Sequence, residues 1–140
     1  MASIGPDGHP AVDLAPLPRL GALDDLTDEA MINELRVHLF DHRSPTPSLE
    51  TLVHALIPRK YIDHTHADAI LALSNQVDGA SLMREALGED VILLDYVAPG
   101  FQLAKAAAAA FAASPDSRGM VWMRHGIVAW GETAREAYEA

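Results

Sequence analysis

Tyr61-Ile62-Asp63-His64-Thr65-His66-Ala67-Asp68-Ala69 is the stretch from which the rest of the 140-residue chain takes its meaning. In an extended strand side chains repeat every second residue, so His64 and His66 point to the same side of the backbone. Two imidazoles on one face can share a metal ion. The H-x-H pattern alone describes two surface histidines equally well, so a third ligand is required. Met123-Arg124-His125-Gly126-Ile127 offers one: a histidine ends an apolar run and meets a glycine that lets the backbone turn tightly beside it.

The composition narrows what such a site can be. Hydrophobic residues make up 49% of the chain, enough to fill the core of one domain. Twenty acidic residues against 10 basic ones give a formal charge of −10, which repels a phosphate backbone, and no Lys/Arg cluster stands against it. Nucleic acid is therefore not an expected partner. There are no cysteines, so disulfides and thiolate sites are excluded, and a transition metal must be held by His with Asp or Glu. That favours a catalytic site over a structural zinc. No apolar run approaches the ~20 residues of a membrane span, and the N-terminus has no basic start followed by an apolar stretch. The expectation is a soluble, cytoplasmic protein with no membrane partner.

Residues 1–26 hold Gly5, Pro6, Gly8, Pro10, Pro16, Pro18 and Gly21, which predicts an N-terminal arm or linker without a regular core element, ahead of a domain over 27–140. Thr27 reads as a helix N-cap followed by Asp28 and Glu29, with Met31, Leu35 and Leu39 facing a core and an end near Asp41. Arg43-Ser44-Pro45-Thr46-Pro47 is a loop. Ser48 can cap a short helix with Glu50 in its opening turn and Leu52, Val53 and Leu56 behind it. Pro58 ends that helix, and residues 60–66 read as the strand carrying the histidine pair. Helices follow over 67–73 and 81–87, the latter closed by Gly88. Val91-Ile92-Leu93-Leu94 resembles a strand buried on both faces. Phe101 to Ala113 is the clearest helix, Gly119 to Trp122 and Ile127 to Trp130 are apolar strands, and Thr133 with Glu136 forms a capping box opening a last helix. Helices alternating with short apolar strands predict an α/β layered domain. The loop-like opening and the abrupt finish suggest a piece of a larger protein.

If His64, His66 and His125 bind one divalent ion, neutral imidazoles leave its charge unquenched and a coordination position open. Such an ion polarises a carbonyl and holds an enolate oxygen. A carboxylate must then move the proton, and Glu50, a short loop ahead of the histidine strand, is the best-placed general base. His9, His38 and His42 lie in the arm, on a helix and in a loop, and are not expected to be ligands. His54, four residues after Glu50, suits core packing or a hydrogen bond behind the ligands. Asp63 and Asp68 either orient the histidines or are simply solvated. For Trp122 and Trp130, packing is the leading reading. Three other metal families fail on these residues: the H-x-H-x-D-H lactamase pattern breaks at Ala69, a cupin lacks its glutamate after H-x-H and would be a β-barrel, and amidohydrolase sites need the longer chain of a TIM barrel.

With Glu50, His64, His66 and His125 in place, the sequence resembles the class II aldolase/adducin family. The resemblance rests on Pro47-Ser48-Leu49-Glu50, on His64-Thr65-His66, and on Arg124-His125-Gly126 followed by Gly131-Glu132-Thr133-Ala134-Arg135-Glu136-Ala137. Asp63 to Leu73 is similar to the aldolase part of bifunctional rhamnulose-1-phosphate aldolase/short-chain dehydrogenase proteins. The resemblance covers roughly residue 27 to the end. It implies a three-layer α/β/α sandwich, incomplete at both ends, and a homotetramer with active sites at subunit boundaries. It also implies zinc (Zn2+) held by His64, His66 and His125, with Glu50 coordinating the empty metal and taking or returning the proton. The implied reaction splits a ketose 1-phosphate such as rhamnulose 1-phosphate into dihydroxyacetone phosphate and an aldehyde through a metal-stabilised enediolate. Relatives of the same family include sugar-phosphate epimerases, a dehydratase and non-catalytic adducin-like interaction domains. The family's glycine- and serine-rich phosphate loops have no convincing copy in residues 1–26, where Gly5-Pro6-Asp7-Gly8 is at most a remnant.

Overall fold

The computed structural model of the chain describes residue 5 and residues 8–140. The expectations for residues 1–4, 6 and 7, including most of Gly5-Pro6-Asp7-Gly8, lie outside the described residues. Two compact units are formed, one from Met1–Leu56 with Pro99–Lys105, the other from Ile57–Ala98 with Ala106–Ala140.

The first unit holds helices α1 (Asp28–Val37) and α2 (Thr51–Leu56) and a 3-10 helix at Leu17–Ala22. The Thr27 side chain accepts a hydrogen bond from the Ala30 N–H, capping α1 as its sequence predicts. Met31 and Leu35 are buried on one helix face. The helix ends four residues short of the expected Asp41, because Leu39 pairs with Val12 in an isolated β-bridge. Phe40 N–H donates to Ala11 O and Asp13 N–H to His38 O, so that segment leaves the helix path to bond with its N-terminal neighbour. In the loop that follows, hydrogen bonds from the Arg43 guanidinium hold the Asp41 carboxyl below the usual carboxylate range.

A regular element inside residues 1–26 is a departure from the sequence reading. Proline is tolerated in the first turn of a helix because its missing N–H would be unpaired there, and Pro18 occupies that place. Leu17 and Leu20, three apart, eclipse each other in a 3-10 turn and are both buried. Gly21 lies against Leu56 of α2, where an added Cβ would sit 3.1 Å from the leucine Cδ2. The density of Pro and Gly concealed a short apolar anchor.

The second unit is a four-stranded mixed sheet in the order β1-β4-β3-β2, from β1 (Tyr61–Thr65), β2 (Val91–Leu94), β3 (Gly119–Trp122) and β4 (Gly126–Gly131). β2 and β3 run parallel; β4 is antiparallel to both β3 and β1. Directly opposed residues share a face, so the register sorts the side chains. Leu93, Val121 and Ile127 fall on one face, where they join Met83, Val91 and Met123 and the packed residues Ile70, Leu73 and Leu87. These come from α3 (Asp68–Ser74) and α4 (Gly79–Leu87). Ile62, His64, Met120, Trp122, Val128 and Trp130 fall on the opposite face. There Phe111, near the end of α5 (Phe101–Ala113), meets Trp130 edge to face at 5.2 Å. Helices on both faces explain why β3 is buried along its whole length and reads as an unbroken apolar run. The last helix, α6 (Ala134–Glu139), opens with the Glu136 N–H on the Thr133 hydroxyl. The Glu136 carboxylate accepts in turn from Glu132 N–H, one residue ahead of the cap. No helix among the described residues is long and apolar enough to cross a membrane.

Met83 is fully buried at the centre of the α3/α4 layer. Met83→Ala is expected to lower unfolding stability by about 2–5 kcal/mol, read as a fall in the urea midpoint with the slope unchanged.

Candidate metal centre

His64 lies in β1 and His66 one residue past its end. Their ring centroids are nevertheless 4.8 Å apart, as the two-residue strand repeat predicts. His125 enters from the turn between β3 and β4, at 5.1 Å from the His64 ring and 4.9 Å from the His66 ring. One nitrogen from each imidazole lies within 4.8 Å of those of the other two. Burial is graded: His125 is buried, His64 half-buried and His66 exposed, so solvent reaches the cluster at His66.

The backbone carbonyl of Ile127 sits 3.0 Å from His64 Nδ1. A carbonyl only accepts, so Nδ1 carries the proton and Nε2 presents the lone pair. That fixes both the tautomer and the ring direction. Asp63 and Asp68, the sequence candidates for this role, are exposed and make no hydrogen bond to a histidine among the described residues. The turn carrying His125 is set by Arg124, whose φ of 64° is in the left-handed region. Arg124 N–H donates to the hydroxyl of buried Ser74, and His125 N–H donates to Trp122 O.

Gly126 does not carry the tight turn that the sequence reading gave it. Its role is close approach: a Cβ there would lie 2.5 Å from Thr65 O, 2.9 Å from His64 Cε1 and 3.1 Å from His66 Cδ2. Beside this space stands Trp122, 2% exposed, with its ring centroid 4.7 Å from His64 and 5.1 Å from His125. Next to the hairpin, Ser74, Gln76, Asp95, Tyr96 and Arg124 line a cavity of about 420 Å³. Every other arginine makes a side-chain hydrogen bond, whereas the Arg124 guanidinium has no hydrogen bond or ion pair among the described residues.

Glu50 stands in the first unit, on the turn before α2, with its N–H on the Ser48 hydroxyl at 3.2 Å. The sequence placed it inside the opening turn of that helix; it immediately precedes Thr51. His38, which caps the C-terminal end of α1, exposed His42, and His54 of α2 are in the same unit.

The donor set fits a metal ion. Three imidazoles with no thiolate match the ligand type of open catalytic zinc sites, and one of them already has its second nitrogen committed to a backbone acceptor.

Residues 21–140 match the family model described as the class II aldolase and adducin N-terminal domain. The chain belongs to that family. The N-terminal class II aldolase domain of a conserved protein from Thermoplasma acidophilum superimposes with a TM-score of 0.89 at 34% identity, over 98% of this chain and 63% of the other. The α/β fold with its mixed sheet is thus that of a class II aldolase domain. A Bacillus subtilis (strain 168) protein named the uncharacterized oxidoreductase YuxG is 37% identical over 116 residues, which are 83% of this chain and 17% of that protein. The chain therefore spans about a sixth of this curated relative's length, and most of YuxG lies outside the matched segment.

Sequence reasoning missed three parts of the site. Ile127 contributes a backbone carbonyl, which no residue type announces. Trp122 reads as core from its strand alone, and only the register puts it against two histidines. Arg124 sits in the quoted motif, yet its left-handed backbone is a conformation for which glycine is the usual signal. Gly126→Ala is expected to push His64 and His66 aside and weaken metal binding by about 10–100-fold, measured by competition against a chromogenic chelator.

Proposed function

We propose that this domain is a metal-dependent aldolase that cleaves a ketose 1-phosphate, such as rhamnulose 1-phosphate, to dihydroxyacetone phosphate and an aldehyde. The observation that carries this reading is the convergence of His64, His66 and His125 from β1 and the β3–β4 turn in a chain without cysteine. Zinc is the ion this donor set supports best, by its nitrogen ligands and by the family resemblance. When bound, the ion polarises the ketose carbonyl and offsets the negative charge that develops on its oxygen.

The chain's own residues do the rest. The His64 ring is held by the Ile127 carbonyl, and a main-chain hydrogen bond to Trp122 O holds the turn that carries His125. Glu50 is the general base of the proposal: in cleavage it takes the hydroxyl proton of the carbon that becomes the aldehyde as the carbon–carbon bond breaks, and it delivers a proton to the carbon left next to the ketone carbonyl. A single carboxylate serves both directions, since the base that removes the proton in condensation returns it in cleavage. Arg124 is the group we assign to the substrate phosphate. Its guanidinium is the arginine without a hydrogen bond or ion pair among the described residues of a strongly acidic chain, and it lines a cavity together with Asp95, a carboxylate able to accept from sugar hydroxyls. Family likeness also supports a homotetramer, which light scattering reads directly.

Protein purified without chelator or histidine tag is expected to carry about one zinc ion per chain by elemental analysis, and His125→Ala to carry almost none. Glu50→Gln should retain the metal and lose dihydroxyacetone phosphate release; unchanged turnover would remove Glu50 from the role. Arg124→Met is expected to raise KM for the phosphorylated substrate about tenfold or more, leaving zinc content intact. Product analysis across several sugar phosphates separates cleavage from epimerisation or dehydration by the same fold.

A further inference from the structure

Trp122 is the largest of the fully enclosed side chains, and its neighbours are unusual for that position. It closes β3 and lies directly opposite Gly126 in the ladder. Opposed residues in a ladder share a face. The indole therefore extends to the side on which residue 126 has no side chain, and there it meets His64 at 4.7 Å with 40° between the planes and His125 at 5.1 Å with 41°. These two rings belong to different parts of the chain, separated by more than half the sheet's sequence. One side chain spans both.

The contact is made by the ring and not by its N–H. Trp122 Nε1–H donates to Met120 Sδ at 3.1 Å, which fixes the polar edge of the indole. With its polar atom committed there, what the indole offers the imidazoles is a flat, rigid, dry surface. Imidazole turns about its Cβ–Cγ bond with a broad torsional preference, so a ligand histidine needs something to limit that rotation. His64 has the Ile127 carbonyl as one restraint and His125 has its short turn. The shared indole is a further restraint on both at once.

We infer that Trp122 is a positioning residue for the metal centre: it orients His64 and His125 together and excludes water from their inner side, so that less ordering remains when an ion binds. This rests on the metal-binding reading of the three histidines. Packing alone would leave metal affinity unchanged when the indole is replaced by an apolar residue that keeps the fold. A positioning role makes affinity depend on a flat ring at that place.

The chain has two tryptophans. The other, Trp130, packs on Phe111 and donates to Ser117 O, so Trp130→Phe leaves Trp122 as the only indole emitter. Metal-stripped Trp130→Phe protein titrated with cobalt(II) is expected to lose Trp122 emission, saturating at about one equivalent. In the parent background, Trp122→Leu is expected to bind cobalt about 10–100-fold more weakly with unchanged far-ultraviolet circular dichroism. Trp122→Phe, which restores a flat ring, is expected to recover most of that loss. Cobalt bound equally tightly by Trp122→Leu, or no better by Trp122→Phe than by Trp122→Leu, would overturn the positioning role while leaving the metal site standing. No cobalt bound by the parent in equilibrium dialysis would instead overturn the metal reading and this inference with it.

Discussion

The backbone of β1 reaches the β3–β4 hairpin only because residue 126 has no side chain. At that point Thr65 O would stand 2.5 Å from a Cβ and two histidine rings would stand within 3.1 Å of it, distances that backbone atoms cannot yield without moving the strand. A glycine costs conformational entropy wherever it sits in a strand. Here that cost is offset by a juxtaposition nothing else could make: a strand bearing His64 and His66 laid against a turn bearing His125. The closeness also lets the Ile127 carbonyl reach His64, with Trp122 packed beside that ring. The site is a consequence of strand pairing before it is a consequence of its histidines.

That pairing is secured from both faces of the sheet. The α3/α4 layer closes over Val121, Ile127 and Met123, while Phe111 and Trp130 pack on the other side. Arg84 of α4 adds a 2.6 Å hydrogen bond to Val91 O, tying the helix to the edge strand β2. Because interiors are packed to crystal-like density, displacing the hairpin would disturb both layers. The turn that presents His125 therefore stands on a rigid base, and Arg124 can be kept in a left-handed conformation whose strain the surrounding contacts absorb. Ser74, buried at the end of α3, takes the Arg124 N–H and couples the helical layer to the turn. Rigidity is useful here, since metal ligands misplaced by a fraction of an ångström lose affinity.

The sequence showed most of the elements and the histidine triad, and the reasons are local. Capping residues announce helices through hydrogen bonds within one turn, which is why Thr27 and Thr133 marked α1 and α6. The five consecutive alanines from Ala106 to Ala110, with no Pro or Gly on either side within the helix, marked α5 over its full observed span. The H-x-H spacing works because a strand repeats every two residues. What stayed hidden depends on relations between strands. The place of Trp122 follows from the β3–β4 register, and the acceptor for His64 is a main-chain atom contributed by β4, across the pairing. The Leu17–Ala22 turn was hidden for a different reason: proline and glycine dominate its neighbourhood, while its two leucines are too few to show a period.

The distribution of charge bears on the substrate class proposed above, a small phosphorylated sugar. A chain with twice as many acidic as basic residues repels large polyanions at a distance, where unscreened fields add. The proposed phosphate ester would depend on short-range contacts instead, which one guanidinium and a cation held by the histidines would supply inside a Debye length. Arginines that already pair with Glu34, Asp41, Glu139 and neighbouring carbonyls are occupied by the acidic surface itself. Among the described residues Arg124 makes no such pairing, and it immediately precedes His125 in the chain. In the proposed reading that fork is the group that meets the anionic end of the substrate.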